Sequence, residues 1–84
     1  MTIYNPQGEV IYDAPITKDA IIRNTLMEDY YIEIPFEVVD VLPFSKGCYI
    51  LYKDRKFEIM ENVFAEPLTN KAGYKYTLRF EAQQ

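Results

Sequence analysis

The side chains that most often move protons in enzymes are nearly absent from this sequence of 84 residues, which has no histidine and one cysteine. Without histidine neither a Cys-His nor a Ser-His pair can form, so nucleophilic catalysis would lack its usual base. Cys48 is in phase with Ile50 and Tyr52. On a strand it would share their face, and it reads as a small buried hydrophobe, with no neighbouring motif that marks a reactive thiolate. Glu33 and Glu37 also share a strand face. At a rise of roughly 3.3 Å per residue they stand about 13 Å apart. That exceeds even the roughly 6.5–9.5 Å of an inverting glycosidase pair, so they read as part of a solvated face. A zinc site needs Cys and His clusters that are not here. Glu28-Asp29 lacks the Asp-x-Asp-x-Asp-Gly frame of a calcium loop, and the three glycines, at 8, 47 and 73, form no phosphate-cradling loop. The expectation is a protein that is not an enzyme, with no catalytic residues, no metal and no cofactor.

The tyrosines are the more informative chemistry. Tyr74 and Tyr76 flank Lys75, an arrangement that could stack bases of a single-stranded nucleic acid. The same rings could fill a core or a protein interface, and the net charge of −4 favours that second use. Tyr30-Tyr31 places one ring on each face of a strand. Tyr31, Tyr49, Tyr74 and Tyr76, with the loop 66–73, are the candidate protein contacts.

Strands must position these rings. Thirteen residues are Phe or Tyr, and Ile, Val and Thr add nineteen more; all are strand-favouring types. Over 30–38 the even positions Tyr30, Ile32, Ile34, Phe36 and Val38 are apolar, while Glu33, Pro35 and Glu37 lie between them, the period of a half-buried strand. Pro35 has no N–H to donate and implies an edge, a bulge or an interrupted ladder. Over 74–82, Tyr74, Tyr76, Leu78, Phe80 and Ala82 alternate with Lys75, Thr77, Arg79 and Glu81. A hairpin is expected from 48–53 and from 56 to 60 or 61, with Asp54-Arg55 at the turn. Another is expected from 2–5 and 9–13 around Pro6-Gln7-Gly8. The stretch 66–73 reads as the longest loop. Two readings stay open for 17–27. One is a short helix capped by Thr17. The other, favoured by Ile21, Ile22 and Thr25, is a strand over about 20–27 that turns at Glu28-Asp29. The sum is an all-β fold, a small antiparallel barrel or sandwich of about seven strands in one domain over 1–84.

Charge and size narrow the class. The nine Lys and Arg residues are scattered, and Lys53-Asp54-Arg55-Lys56 reads as a solvated hairpin tip. The acidic balance, with a pI near 4.7, predicts neither a nucleic-acid partner nor an anionic membrane surface. No apolar run approaches the length of a spanning helix, and the first residues lack the pattern of a signal peptide. The single cysteine excludes an internal disulfide and suits a reducing compartment. A core this small favours oligomer contacts.

The order of segments also carries a resemblance. Leu26-Met27-Glu28-Asp29 leads into the alternating run from Tyr30 to Phe36. An apolar-Pro-apolar step, Leu42-Pro43-Phe44, follows. Gly47-Cys48-Tyr49-Ile50 opens a strand and Lys56-Phe57-Glu58-Ile59 answers it. Glu66-Pro67 marks a loop, and Gly73-Tyr74-Lys75-Tyr76-Thr77-Leu78-Arg79-Phe80-Glu81 closes the pattern. This resembles the N-terminal domain of tail or baseplate-hub proteins from phages and prophages of Bacteroides-type bacteria, over about 26–82, and the opening hairpin also fits. The resemblance implies a β-barrel that packs against copies of itself or other tail proteins in a ring at the tail tip. It implies a place in the virion tail, assembled in the bacterial cytoplasm, and a first domain of a longer tail protein whose later domains do any cell-wall or receptor work. No catalytic residue is carried over from it.

Two expectations of different kind follow. The first is a structural assembly module of a phage-tail-like particle, acting by protein–protein packing. The alternative is a small stand-alone β-barrel binding module for a peptide or an oligonucleotide. An enzyme is the third reading, disfavoured by the missing histidine.

Overall fold

The computed structural model describes residues 1–24 and 30–83. Eight strands follow in chain order: β1 (Thr2–Tyr4), β2 (Val10–Asp13), β3 (Ile21–Asn24), β4 (Tyr30–Val38), β5 (Tyr49–Tyr52), β6 (Arg55–Ile59), β7 (Glu66–Pro67) and β8 (Tyr74–Ala82). Their neighbour order is β2-β1-β5-β6-β8-β4-β3, with β7 paired to β8, and every pairing is antiparallel. The all-β expectation holds, and no helix occurs among the described residues. One sheet with one apolar face has to cover that face with itself. It curls into a half-barrel, and among the described residues β2 and β3 have a neighbour on one side only and form its free edges.

The curl is built by alternation. Ile3, Ile32, Ile34, Phe36, Ile50, Phe57, Ile59, Tyr76, Leu78 and Phe80 all turn inward and join one core with Ala14, Phe44 and Cys48. β4 and β8 form its spine, in register from Tyr31↔Glu81 to Val38↔Tyr74 with no bulge. Two aromatic clusters sit towards opposite ends of that spine. At one end Tyr30 and Tyr52 pack against Phe57 with centroids 4.8 and 6.1 Å away. At the other, Phe44 meets Tyr76 edge-on at 4.9 Å, and Tyr12 stacks on Phe36 at 5.3 Å. Such pairs contribute about 0.5–1.5 kcal/mol each beyond their burial.

Pro35 is accommodated by phase. Gln83 N–H bonds Lys56 O, and Leu68 N–H bonds Gly73 O. The odd residues of β8 therefore bond towards β6 and β7, and its even residues bond towards β4. Pro35 lies opposite Thr77, so its nitrogen faces away from β8, towards β3. The β3 pairing ends at Ile21↔Glu33, and no ladder bond is lost at Pro35.

Two expectations need correction. The hairpin turn is Lys53-Asp54, one residue earlier than expected, and Arg55 is already in β6. Both turn residues have positive φ, 49° and 61°. Two left-handed residues make a tight turn whose twist matches the strands. The loop 66–73 is shorter than its composition suggested. Glu66 and Pro67 pair with Lys75 and Tyr74, and the Leu68–Gly73 bond closes a compact hairpin. Over 17–27 the favoured strand reading holds in the described part and the alternative of a short helix falls away. Thr17 heads a turn, with its carbonyl accepting from Ala20 N–H at 3.1 Å and its Oγ1 accepting from Asp19 N–H at 3.2 Å. The strand Ile21–Asn24 follows. The expected turn at Glu28-Asp29 and the Leu26-Met27 segment lie outside the described residues.

Candidate interaction surfaces

Directly opposed residues in an antiparallel sheet share a face. The register therefore lines up one row across the outside of the half-barrel: Tyr4, Tyr49, Glu58, Glu81, Tyr31 and Arg23. Two of the candidate contacts, Tyr49 and Tyr31, stand in this row. Three strand spacings, roughly 14 Å, separate them.

Each ring is already held. Tyr49 stacks on Tyr4 with centroids 5.1 Å apart, and Lys56 Nζ lies 4.5 Å from its centroid. The same ammonium is 3.6 Å from Glu58. The Arg79 guanidinium covers the Tyr31 ring at 3.9 Å. Between the rings Glu58 opposes Glu81, a like-charge cross-strand pair, which destabilises a sheet locally unless a cation offsets it. Lys56 offsets the Glu58 side of that pair. The row is thus a fixed, mixed-charge aromatic surface.

The other two candidates part company. Tyr74 is half-buried at the start of β8, between Val38 and Pro67. Tyr76 is a correction, because it is 2% exposed and belongs to the core. Its hydroxyl is bonded to the backbone of Leu42, so it offers no face to a partner, and no stacking platform of Tyr74 with Tyr76 exists. The alternation that puts Leu78 and Phe80 inside puts Tyr76 inside with them.

Cys48 is fully buried, and its sulfur lies 3.4 Å from Ser45 N. Glu37 pairs with Lys71 at 2.9 Å, and Glu33 lies opposite Arg79. Among the described residues no three metal-ligating side chains come together, and no helix is long and apolar enough to cross a membrane.

The sequence reading missed several exposed apolar side chains. Ile21 and Ile22 stand on the free edge β3, and Val10 stands on the free edge β2. Phe64 is 79% exposed in the connection between β6 and β7, beside a groove of about 320 Å³ lined by Ile59, Val63, Glu66, Thr77 and Arg79 among others. The β3 isoleucines were legible as strand residues, but their edge position was not. Phe64 sits in a stretch with no periodic pattern, and nothing in its neighbours signalled it. Comparison with protein-family models, with curated proteins and with solved structures gives no match.

Proposed function

We propose that this chain is a structural assembly module of a phage-tail-like particle, acting by packing against neighbouring tail or baseplate proteins or copies of itself. The observation that carries this reading is the set of large apolar side chains left exposed on unpaired parts of the sheet. Ile21 and Ile22 lie along the β3 edge, Val10 lies on β2, and Phe64 projects from the β6–β7 connection. Free strand edges with apolar side chains are surfaces that natural proteins either blunt or use for pairing. The segment order from Tyr30 to Glu81 supports the tail setting through the resemblance it carries. Contact would run through the edges and through the outer row that includes Tyr31 and Tyr49, with Tyr74 at its margin.

The test is affinity capture with the tagged chain from a lysate of the source bacterium after prophage induction, read by mass spectrometry. Recovery of tail-tube, hub or tape-measure-like proteins is the expected result. Recovery of nucleic acid or of a metabolic complex instead would sink it.

A further inference from the structure

Strand β8 is paired along its whole length on the β4 side but not on the other. There β6 covers Phe80 to Ala82 and β7 covers Tyr74 and Lys75. Thr77 and Arg79 lie in the gap between. The odd residues of β8 bond towards this side, as the Gln83–Lys56 and Leu68–Gly73 bonds fix. The N–H and C=O of Thr77 and of Arg79 therefore point into the gap. Met60 N–H stands opposite Arg79 C=O beside the Ile59↔Phe80 pair, and among the described residues no backbone hydrogen bond joins the connection to Thr77. The gap thus offers three main-chain groups, Thr77 N–H, Thr77 C=O and Arg79 N–H, opening on the groove beside Phe64.

A second observation points to what the groove lacks. Arg79 Nε is buried and has no hydrogen-bond partner. Among the described residues its guanidinium makes no ion pair, although Glu33 is its cross-strand neighbour. A buried donor without an acceptor is costly, and a guanidinium is shaped for a carboxylate. Ile59, Val63 and Phe64 supply an apolar wall on the same groove.

We infer that the notch beside Thr77 and Arg79 docks a short extended segment of a partner protein. That segment adds as a strand to β8, sets a carboxylate on Arg79 and lays an apolar side chain against Phe64. The backbone groups match an extended chain, Arg79 with its unpartnered Nε and Lys75 on the same groove match an acidic side chain, Glu61 and Glu66 at the groove set where that side chain does not lie, and Phe64 matches an apolar one. The inference rests on the reading of this chain as a protein-contact module and gives that contact a place.

The test pans a display library of random short peptides on the full chain, then uses the strongest binder as a labelled synthetic peptide. The expected binder carries an Asp or Glu. It should slow amide hydrogen exchange at Thr77 and Arg79, which exchange faster than Leu78 and Phe80 in the free chain. Arg79→Gln should weaken it about tenfold or more, as for the loss of a charge-assisted bond. Thr77→Pro, which deletes one donor into the notch, should weaken it as well. Gln7→Ala, in the exposed β1–β2 turn, should leave it unchanged, and a thermal melt confirms that each variant folds. Failure to enrich any peptide would overturn the inference, as would a binder that leaves those two amides exchanging as before. Concentration-dependent protection of the same amides without peptide would place a second copy in the notch and overturn it too. Capture of tail proteins without peptide docking at the notch would defeat this inference and spare the assembly reading. Peptide docking without tail proteins would do the reverse.

Discussion

The hydroxyl of Tyr76 holds both main-chain polar groups of Leu42. It accepts from Leu42 N–H at 3.1 Å and donates to Leu42 O at 3.3 Å. These residues are 34 positions apart, and the pair ties the β4–β5 connection to the spine of the sheet. A ring that is 2% exposed thereby carries a polar group into the core without leaving it unsatisfied.

Tyr76→Phe keeps the ring contacts with Phe36 and Phe44 and removes this clamp. The expected cost is about 1–2 kcal/mol, because Leu42 N–H loses its partner, while Leu42 O keeps the bond from Phe44 N–H at 2.8 Å. For a domain of this size each kcal/mol lowers Tm by roughly 4–8 °C. Thermal unfolding by circular dichroism measures it, and an unchanged Tm would show that water replaces the hydroxyl.

The turn at Lys53-Asp54 runs the other way. Both residues have positive φ, 49° and 61°, a region that disfavours most side chains. Lys53→Asn combined with Asp54→Gly matches the residues to the turn and should stabilise the chain by about 1 kcal/mol, because the left-handed region costs an ordinary L-residue roughly 1–2 kcal/mol and the added chain freedom of glycine offsets part of the gain. A denaturant midpoint that rises with an unchanged slope is the expected reading.

Gly73 has φ of 126°, and a Cβ built there would meet Val38 O at 2.6 Å. Gly73→Ala must therefore move backbone as well as adopt a disfavoured φ. A loss of roughly 1–3 kcal/mol is expected from the backbone strain alone. Chemical denaturation reads it, and faster amide exchange at Leu68 would locate it, since that amide bonds Gly73 O at 3.0 Å.

Glu58 and Glu81 face each other across β6 and β8, and Lys56, 3.6 Å from Glu58, offsets only one of them. Glu81→Gln should stabilise the sheet by about 0.5 kcal/mol at low salt. The gain should fade near 1 M salt, where the screening length falls to about 3 Å. A gain that persists at high salt would assign the effect to packing instead of charge.

Much of the fold could be read from the sequence because side-chain alternation follows from the covalent geometry of an extended chain. The runs at Tyr30–Val38 and Tyr74–Ala82 show their inward and outward faces directly. The burial of Cys48 followed from its phase with Ile50 in the same way. What the sequence left open was decided over distance. Tyr76 obeys the alternation, yet its hydroxyl made it look like a surface group until Leu42 came round to meet it. Lys53-Asp54 became the turn because the register of Tyr49↔Glu58 and Tyr52↔Arg55 leaves two residues between the strands. The row from Tyr4 to Arg23 joins six strands whose neighbour order is not their chain order. The notch beside Thr77 and Arg79 exists because β6 and β7 reach β8 at different heights. Local periodicity sets which face each residue takes. Strand order and register, fixed by long-range pairing and burial of the core, set what stands beside it.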